Sequence, residues 1–136
     1  MRILIVEDDA LVAMVLTDCL DDAGHEVVGP ATTAAEAVAL CEAGVPDLAL
    51  LDIELRDGSN GVVLACSLFT RWRLPVIFTS GQSVEARRAR DVALGYIAKP
   101  YEPETVLCCI EVAREVMDGG NPSTVPAGFE LFRAAE

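Results

Sequence analysis

The sequence predicts an α/β domain with a five-stranded parallel sheet and helices on both faces. Three observations carry that expectation. Hydrophobic periodicity switches five times between short apolar runs of strand length and stretches with helical spacing. No connection before residue 118 needs a long structureless loop. The chain has 136 residues and is 52% hydrophobic, enough to bury one core. Surface scaling for a chain of this size leaves roughly 7,000 Å² exposed.

Arg2-Ile3-Leu4-Ile5-Val6 is β-branched and stops at three acids, so it reads as a buried strand with a polar end. Asp8 or Asp9 can cap a helix over residues 10–23, which Gly24 ends. Residues 26–29 form a second short strand. Thr32 or Thr33 opens the next helix, which runs to Gly44, with Glu36 at capping-box spacing from Thr33. Residues 47–52 are a third strand with an acid at its C-terminal end, and a loop over 53–60 leads to a helix over 61–71. Residues 75–79 give the fourth strand, residues 83–93 are charged and weakly helical, and Gly95–Ala98 is the fifth strand. The last helix covers residues 102–117. Residues 1–118 therefore make one domain, and residues 119–136 read as a mobile tail, because Gly119-Gly120 and the prolines oppose continuation of the helix.

Charge and cysteine content narrow the function. Ten bases against 22 acids give a formal net charge of -12, which argues against nucleic-acid binding. Thirteen of the acids but only two of the bases lie in residues 1–60. Apolar runs are too short to span a bilayer and the N-terminus lacks a signal-peptide layout, so a cytoplasmic location without membrane contact is expected. Cys19, Cys41, Cys66, Cys108 and Cys109 lack metal-ligand spacing and read as buried thiols.

Ligands of open parallel sheets bind beyond the carboxyl ends of the strands. Those ends carry Glu7, Asp8 and Asp9, then Asp52, then Ser80, then Lys99, the sole lysine of the chain. Carboxylates about 5 Å apart repel by roughly 3 kcal/mol at an effective dielectric near 20, so they must gain protons, pair with Lys99 or hold a cation. Hard oxygen donors suit Mg²⁺ or Mn²⁺ rather than zinc. Such a site can accept a phosphoryl group, with an aspartate as nucleophile. Met14, on a separate face of the first helix, is expected near the surface beside this pocket, where a partner helix could pack.

Four segments in this order resemble the receiver domain of bacterial two-component response regulators. They are Ile3-Leu4-Ile5-Val6-Glu7-Asp8-Asp9, Asp47-Leu48-Ala49-Leu50-Leu51-Asp52, Pro75-Val76-Ile77-Phe78-Thr79-Ser80-Gly81 and Gly95-Tyr96-Ile97-Ala98-Lys99-Pro100. The resemblance covers residues 1–117 and implies a flavodoxin-like strand order 2-1-3-4-5. It implies Asp52 as phosphoacceptor, with Mg²⁺ held by Glu7, Asp8, Asp52 and the backbone carbonyl of Glu54. Ser80 and Tyr96 correspond to the switch residues, Lys99 to the lysine that pairs with the phosphoryl group, and Lys99-Pro100 to a cis peptide bond. The implied donor is a sensor histidine kinase or a histidine phosphotransfer protein.

The implied function is a phosphorylation-dependent switch, in two-component signalling or a phosphorelay, that dephosphorylates itself and is not otherwise an enzyme. No output domain follows, so the chain is expected to be a single-domain regulator or an excised receiver, monomeric or weakly dimeric. It would act through contact with a downstream protein target. A receiver-fold scaffold that works without phosphorylation remains an alternative, as does a metal-dependent aspartyl-phosphate hydrolase using Glu54 as general acid. Three departures stand out from the family pattern: Gly81 for alanine, Tyr101 for phenylalanine, and only 18 residues between Ser80 and Lys99. The last implies a short or irregular fourth helix.

Overall fold

The alternating segments build, in chain order, β1 (Arg2–Val6), α1 (Ala10–Asp22), β2 (Glu26–Ala31), α2 (Ala34–Ala43), β3 (Leu48–Asp52), α3 (Gly61–Trp72), β4 (Val76–Ser80), α4 (Ser83–Arg88), β5 (Gly95–Ala98), α5 (Pro103–Met117) and β6 (Phe129–Leu131). A single 3-10 turn, Arg90–Val92, separates α4 from β5. This computed structural model describes residues 1–55 and 57–132.

The strands form one sheet in the order β2-β1-β3-β4-β5-β6. The first five are parallel, as expected, and the sheet is six-stranded because β6 adds antiparallel to β5. β3 and β4 are buried at every position, which is why their sequences are almost continuously apolar. Side chains alternate between two cores. Leu4, Val6, Ala49, Leu51, Val76 and Phe78 face α2, α3 and α4 through residues such as Cys41, Leu64, Leu68 and Ala86. Ile3, Ile5, Leu48, Leu50, Ile77 and Ile97 face α1 and α5 through Leu16, Leu20, Val106 and Ile110. The accessible surface totals 6968 Å², in line with scaling.

Caps hold the helices in register with the strand ends. Asp9 caps α1, accepting from the amides of Leu11 at 3.0 Å and Val12 at 3.2 Å. Thr33 accepts from the Glu36 amide at 3.1 Å, but Glu36 reaches back to the Thr32 amide at 3.0 Å, one residue before the expected capping-box partner. Asn60 caps α3 through the Val62 amide at 2.7 Å. α4 has only six residues, as the close spacing of Ser80 and Lys99 implied.

Two expectations need correction. The thiols are not uniformly buried: Cys41 and Cys109 are, whereas Cys66 and Cys108 are exposed and Cys19 is intermediate. Adjacent residues on a helix point in different directions, so Cys108 and Cys109 do not share the core.

Nor do residues 129–132 hang clear of the domain as the expected tail; residues 133–136 lie outside the described residues. The helix does stop at Met117, but the chain then returns to pair Phe129 with Ile97, Glu130 with Tyr96 and Leu131 with Gly95. Phe129 and Leu131 pack on the α1–α5 side and Phe132 on the other. Glu130 binds Arg87 of α4 through three N–O contacts of 2.6–3.0 Å. Glycine at position 95 makes this fit: a Cβ there would lie 2.4 Å from the Glu130 carbonyl oxygen and 2.8 Å from the Phe129 ring.

Gly95→Ala should therefore cost about 1–3 kcal/mol or detach β6. Hydrogen exchange should show lost protection at residues 129–132 with the central strands unaffected. Unchanged protection and an unchanged melting temperature would contradict the packing account.

Candidate functional site

Parallel alignment brings the C-terminal ends of β1, β3, β4 and β5 to one edge. β1 delivers Glu7 and Asp8, β3 delivers Asp52, β4 ends in Ser80, and Lys99 follows β5. The loop after β3 is held tightly against α3. Gly61 donates its amide to the Ile53 carbonyl at 3.1 Å, and a Cβ on it would lie 2.6 Å from the Asp52 carbonyl oxygen.

Glu7 and Asp52 are 4% and 3% exposed, while Asp8 is partly buried. Carboxylate oxygens of all three lie within 4.8 Å of one another. Lys99 Nζ stands 3.0 Å from Asp52 Oδ1 and 3.8 Å from Glu7 Oε1. The Glu54 amide donates to Asp52 Oδ1 at 3.0 Å, and the Asp9 amide donates to Glu7 Oε2 at 3.2 Å. Lys99-Pro100 is cis, as is Gly29-Pro30.

One ammonium faces three carboxylates, and the electrostatics reflect the deficit. Burial pushes the Glu7 carboxyl up to about 7, with Asp52 adding to the rise; the Asp9 amide and Lys99 oppose it. Burial, reinforced by Glu7 and Asp52, also raises the Tyr101 phenol. A cluster that cannot carry its full negative charge, built from hard oxygens, fits a divalent cation of the Mg²⁺ class. The cleft over it measures about 680 Å³ and continues along α1 past Leu11, Val12 and Val15.

Of the residues read from the sequence, Glu7, Asp8, Asp52 and Lys99 meet directly. Asp9 belongs to the helix cap. Ser80 is 1% exposed; its hydroxyl donates to Glu54 Oε1 at 2.7 Å or to the Gln82 carbonyl at 3.0 Å, and accepts from the Gln82 amide at 2.9 Å. Tyr96 lies on β5 with its ring stacked on Phe132, centroids 6.3 Å apart. Met14 is exposed, but the cleft is lined by Leu11 and Val15 instead.

Two features escaped the sequence reading. The Glu54 side chain engages Ser80, a role its i, i+2 spacing from Asp52 could have suggested in extended chain. The Tyr101 hydroxyl is buried without a hydrogen-bond partner among the described residues, and its departure from the usual phenylalanine was the available signal.

A parallel sheet with carboxylates, a hydroxyl and an ammonium converging on its C-terminal edge defines a receiver-type signalling domain. Residues 3–111 match the response regulator receiver domain, and the chain belongs to that family. The phyllosphere-induced regulator PhyR of Methylorubrum extorquens is 38% identical over 116 residues, covering 82% of this chain and 43% of that protein. The chemotaxis protein CheY of Thermotoga maritima is 32% identical over 111 residues, 78% of this chain and 91% of that one. The N-terminal domain of a response regulator/sensory box/GGDEF protein from Carboxydothermus hydrogenoformans aligns with a TM-score of 0.77 at 32% identity, covering 88% and 98% of the two chains.

The charge deficit generates a linkage prediction. Because the folded carboxyl of Glu7 titrates near 7 rather than its ordinary 4.5, the metal-free fold holds an extra proton between those values. It therefore loses stability as pH rises through that window. Mg²⁺ must displace the proton, so millimolar Mg²⁺ should raise the melting temperature more at about pH 8 than at about pH 5.5. Glu7→Gln should flatten that pH dependence and Asp8→Asn should abolish most of the Mg²⁺ response. A flat Mg²⁺ titration of the wild type at both pH values would contradict a cation site.

Proposed function

We propose that this domain is a phosphorylation-dependent switch that takes a phosphoryl group onto Asp52 from the phosphohistidine of a sensor kinase or phosphotransfer protein. The observation that carries the reading is the buried Asp52 carboxylate. It lies 3.0 Å from Lys99 Nζ and shares a 4.8 Å cluster with Glu7 and Asp8. Residues 1–118 are the receiver unit and residues 119–136 an appended segment.

In the transfer, an Asp52 carboxylate oxygen bonds to phosphorus as the donor's P–N bond breaks and the electron pair leaves with the imidazole. Lys99 neutralises the phosphoryl oxygens as charge develops on them. Mg²⁺, or Mn²⁺, held by Glu7, Asp8, Asp52 and the Glu54 carbonyl, would neutralise further oxygen charge when bound. Ser80 exchanges its contacts with Glu54 and Gln82 for one with the new phosphoryl group, and Tyr96 follows on β5. Water attack on the acyl phosphate later restores the carboxylate and releases inorganic phosphate, so the cycle resets without a separate enzyme. No helix among the described residues is long and apolar enough to cross a membrane.

The donor's helix docks on the apolar rim of the cleft, where Leu11 is 65% and Val15 41% exposed beside the acids. This moves the docking role from Met14 to its neighbours.

Incubation with Mg²⁺ and acetyl phosphate should add the mass of one phosphoryl group in a form labile to hydroxylamine. Asp52→Asn should abolish the adduct, Lys99→Ala should form it but respond poorly, and Ser80→Ala should form it without the conformational change. A full-strength labile adduct on Asp52→Asn moves the chemistry elsewhere; no adduct from any donor favours the phosphorylation-independent scaffold. Leu11→Glu should slow transfer from a phosphohistidine protein at least about tenfold while acetyl phosphate labelling stays at the wild-type rate. Equal slowing of both donors would remove the docking role.

A further inference from the structure

β6 is tied to the site by two routes that start at two of its residues. The first begins at Ser80. Its hydroxyl accepts from the Gln82 amide at 2.9 Å, and Gln82 stands at the N-cap of α4 without any side-chain cap of its own. α4 carries Arg87, whose Nε donates to Glu130 Oε2 and whose Nη2 donates to Glu130 Oε1, the bidentate geometry that gives such pairs their directionality. The second begins at Lys99. Its own amide donates to the Ser80 carbonyl at 2.9 Å, and the preceding amide, Ala98, donates to the Gly128 carbonyl at 2.8 Å where β6 begins. At the other end, the Phe132 amide donates to the Leu94 carbonyl at 2.7 Å and the Phe132 ring stacks on Tyr96.

β6 is only three residues long and is joined to α5 by a linker holding Gly119, Gly120 and two prolines. A strand that short holds little intrinsic stability, so its residence on β5 rests on the burial of Phe129 against Gly95, on the backbone bonds at its two ends, and on the contacts with Arg87 and Tyr96 that could tip the balance. Arg87 is carried by α4, which follows Ser80 directly, and the end of β5 that carries Tyr96 is tied to Ser80 through the Lys99 amide.

From this arrangement we infer that residues 129–132 are a latch over the β5 edge and the Tyr96 ring, closed while the Ser80 hydroxyl holds the start of α4 and opened when Asp52 carries a phosphoryl group. This inference rests on the phosphoacceptor reading and names its regulated surface. Opening uncovers the backbone of β5, Arg87 and the Tyr96 ring together. That surface is complementary to an extended partner segment that, like the latch, places an acid opposite Arg87 and an aromatic over Tyr96. Coupling is reciprocal, so loosening the latch must favour the phosphorylated state by the same factor that phosphorylation loosens the latch.

The full chain is treated with Mg²⁺ and acetyl phosphate, and intact mass and hydrogen exchange are read on the same sample. Amides of residues 94–98 and 129–132 should exchange about 5- to 10-fold faster in the phosphorylated protein. Glu130→Lys, which sets two cations against each other, should open the latch without phosphate and raise the yield of acyl phosphate at limiting acetyl phosphate. The reversed pair, Arg87→Glu with Glu130→Arg, should return both readouts toward wild type and guards against a variant that merely unfolds. An adduct on Asp52 with unchanged exchange at both segments overturns the latch alone. Absence of the adduct overturns the phosphoacceptor reading and the latch with it, and unaltered acyl phosphate yield in a folded, open Glu130→Lys overturns the coupling.

Discussion

The crowding of three carboxylates against a single ammonium is the constraint on which the rest of the molecule turns. Glu7, Asp8 and Asp52 come within 4.8 Å because β1 and β3 are paired neighbours in register, from Ile3 with Leu48 to Val6 with Leu51. Their repulsion burdens the edge they occupy, and it is eased by Lys99 at 3.0 Å from Asp52 and by the raised Glu7 carboxyl, which holds its proton to higher pH. A site in that condition is chemically hungry for positive charge. That appetite is what the proposed cation and phosphoryl chemistry would draw on.

Strand pairing also ties the polar residues into one group. Asp52 sits opposite Thr79 and Ser80 opposite Ala98, so each site residue is one pairing step from the next strand's contribution. Displacing any one of them strains a neighbour that is itself buried, and well-packed interiors answer such strain by switching between discrete arrangements rather than by yielding smoothly. α4 and the 3-10 turn that follows it are the shortest helical elements among the described residues, and neither has a side-chain cap.

Much of this was legible in the sequence because it is encoded locally. β1, β3 and β4 announce themselves as apolar runs, and Asp52, Ser80 and Lys99 each stand out as a polar residue at the end of one. What was not legible depends on contacts between distant residues. Three residues of alternating pattern are too few to signal a strand, so β6 becomes visible only when Gly95, more than thirty positions earlier, proves to be the notch that receives it. The bond from Ser80 to Glu54 likewise joins the ends of two different strands. The exposed Cys66 and Cys108 were misjudged because an apolar neighbourhood in sequence does not fix which way a helix face points.

The placement of β6 also bears on how copies of this chain behave toward one another. An open sheet has two margins, and each is an invitation for a neighbouring molecule to extend it. One margin here is β2, where Pro30 removes a backbone donor and the register with β1 slips between Leu4 and Val6. The opposite margin would be bare β5, four residues of nearly buried backbone with a glycine at its start. β6 replaces it with a strand of three residues bearing a charged side chain, too short to template another. With a net charge of -12 and both margins blunted, the chain offers a second copy little edge to extend.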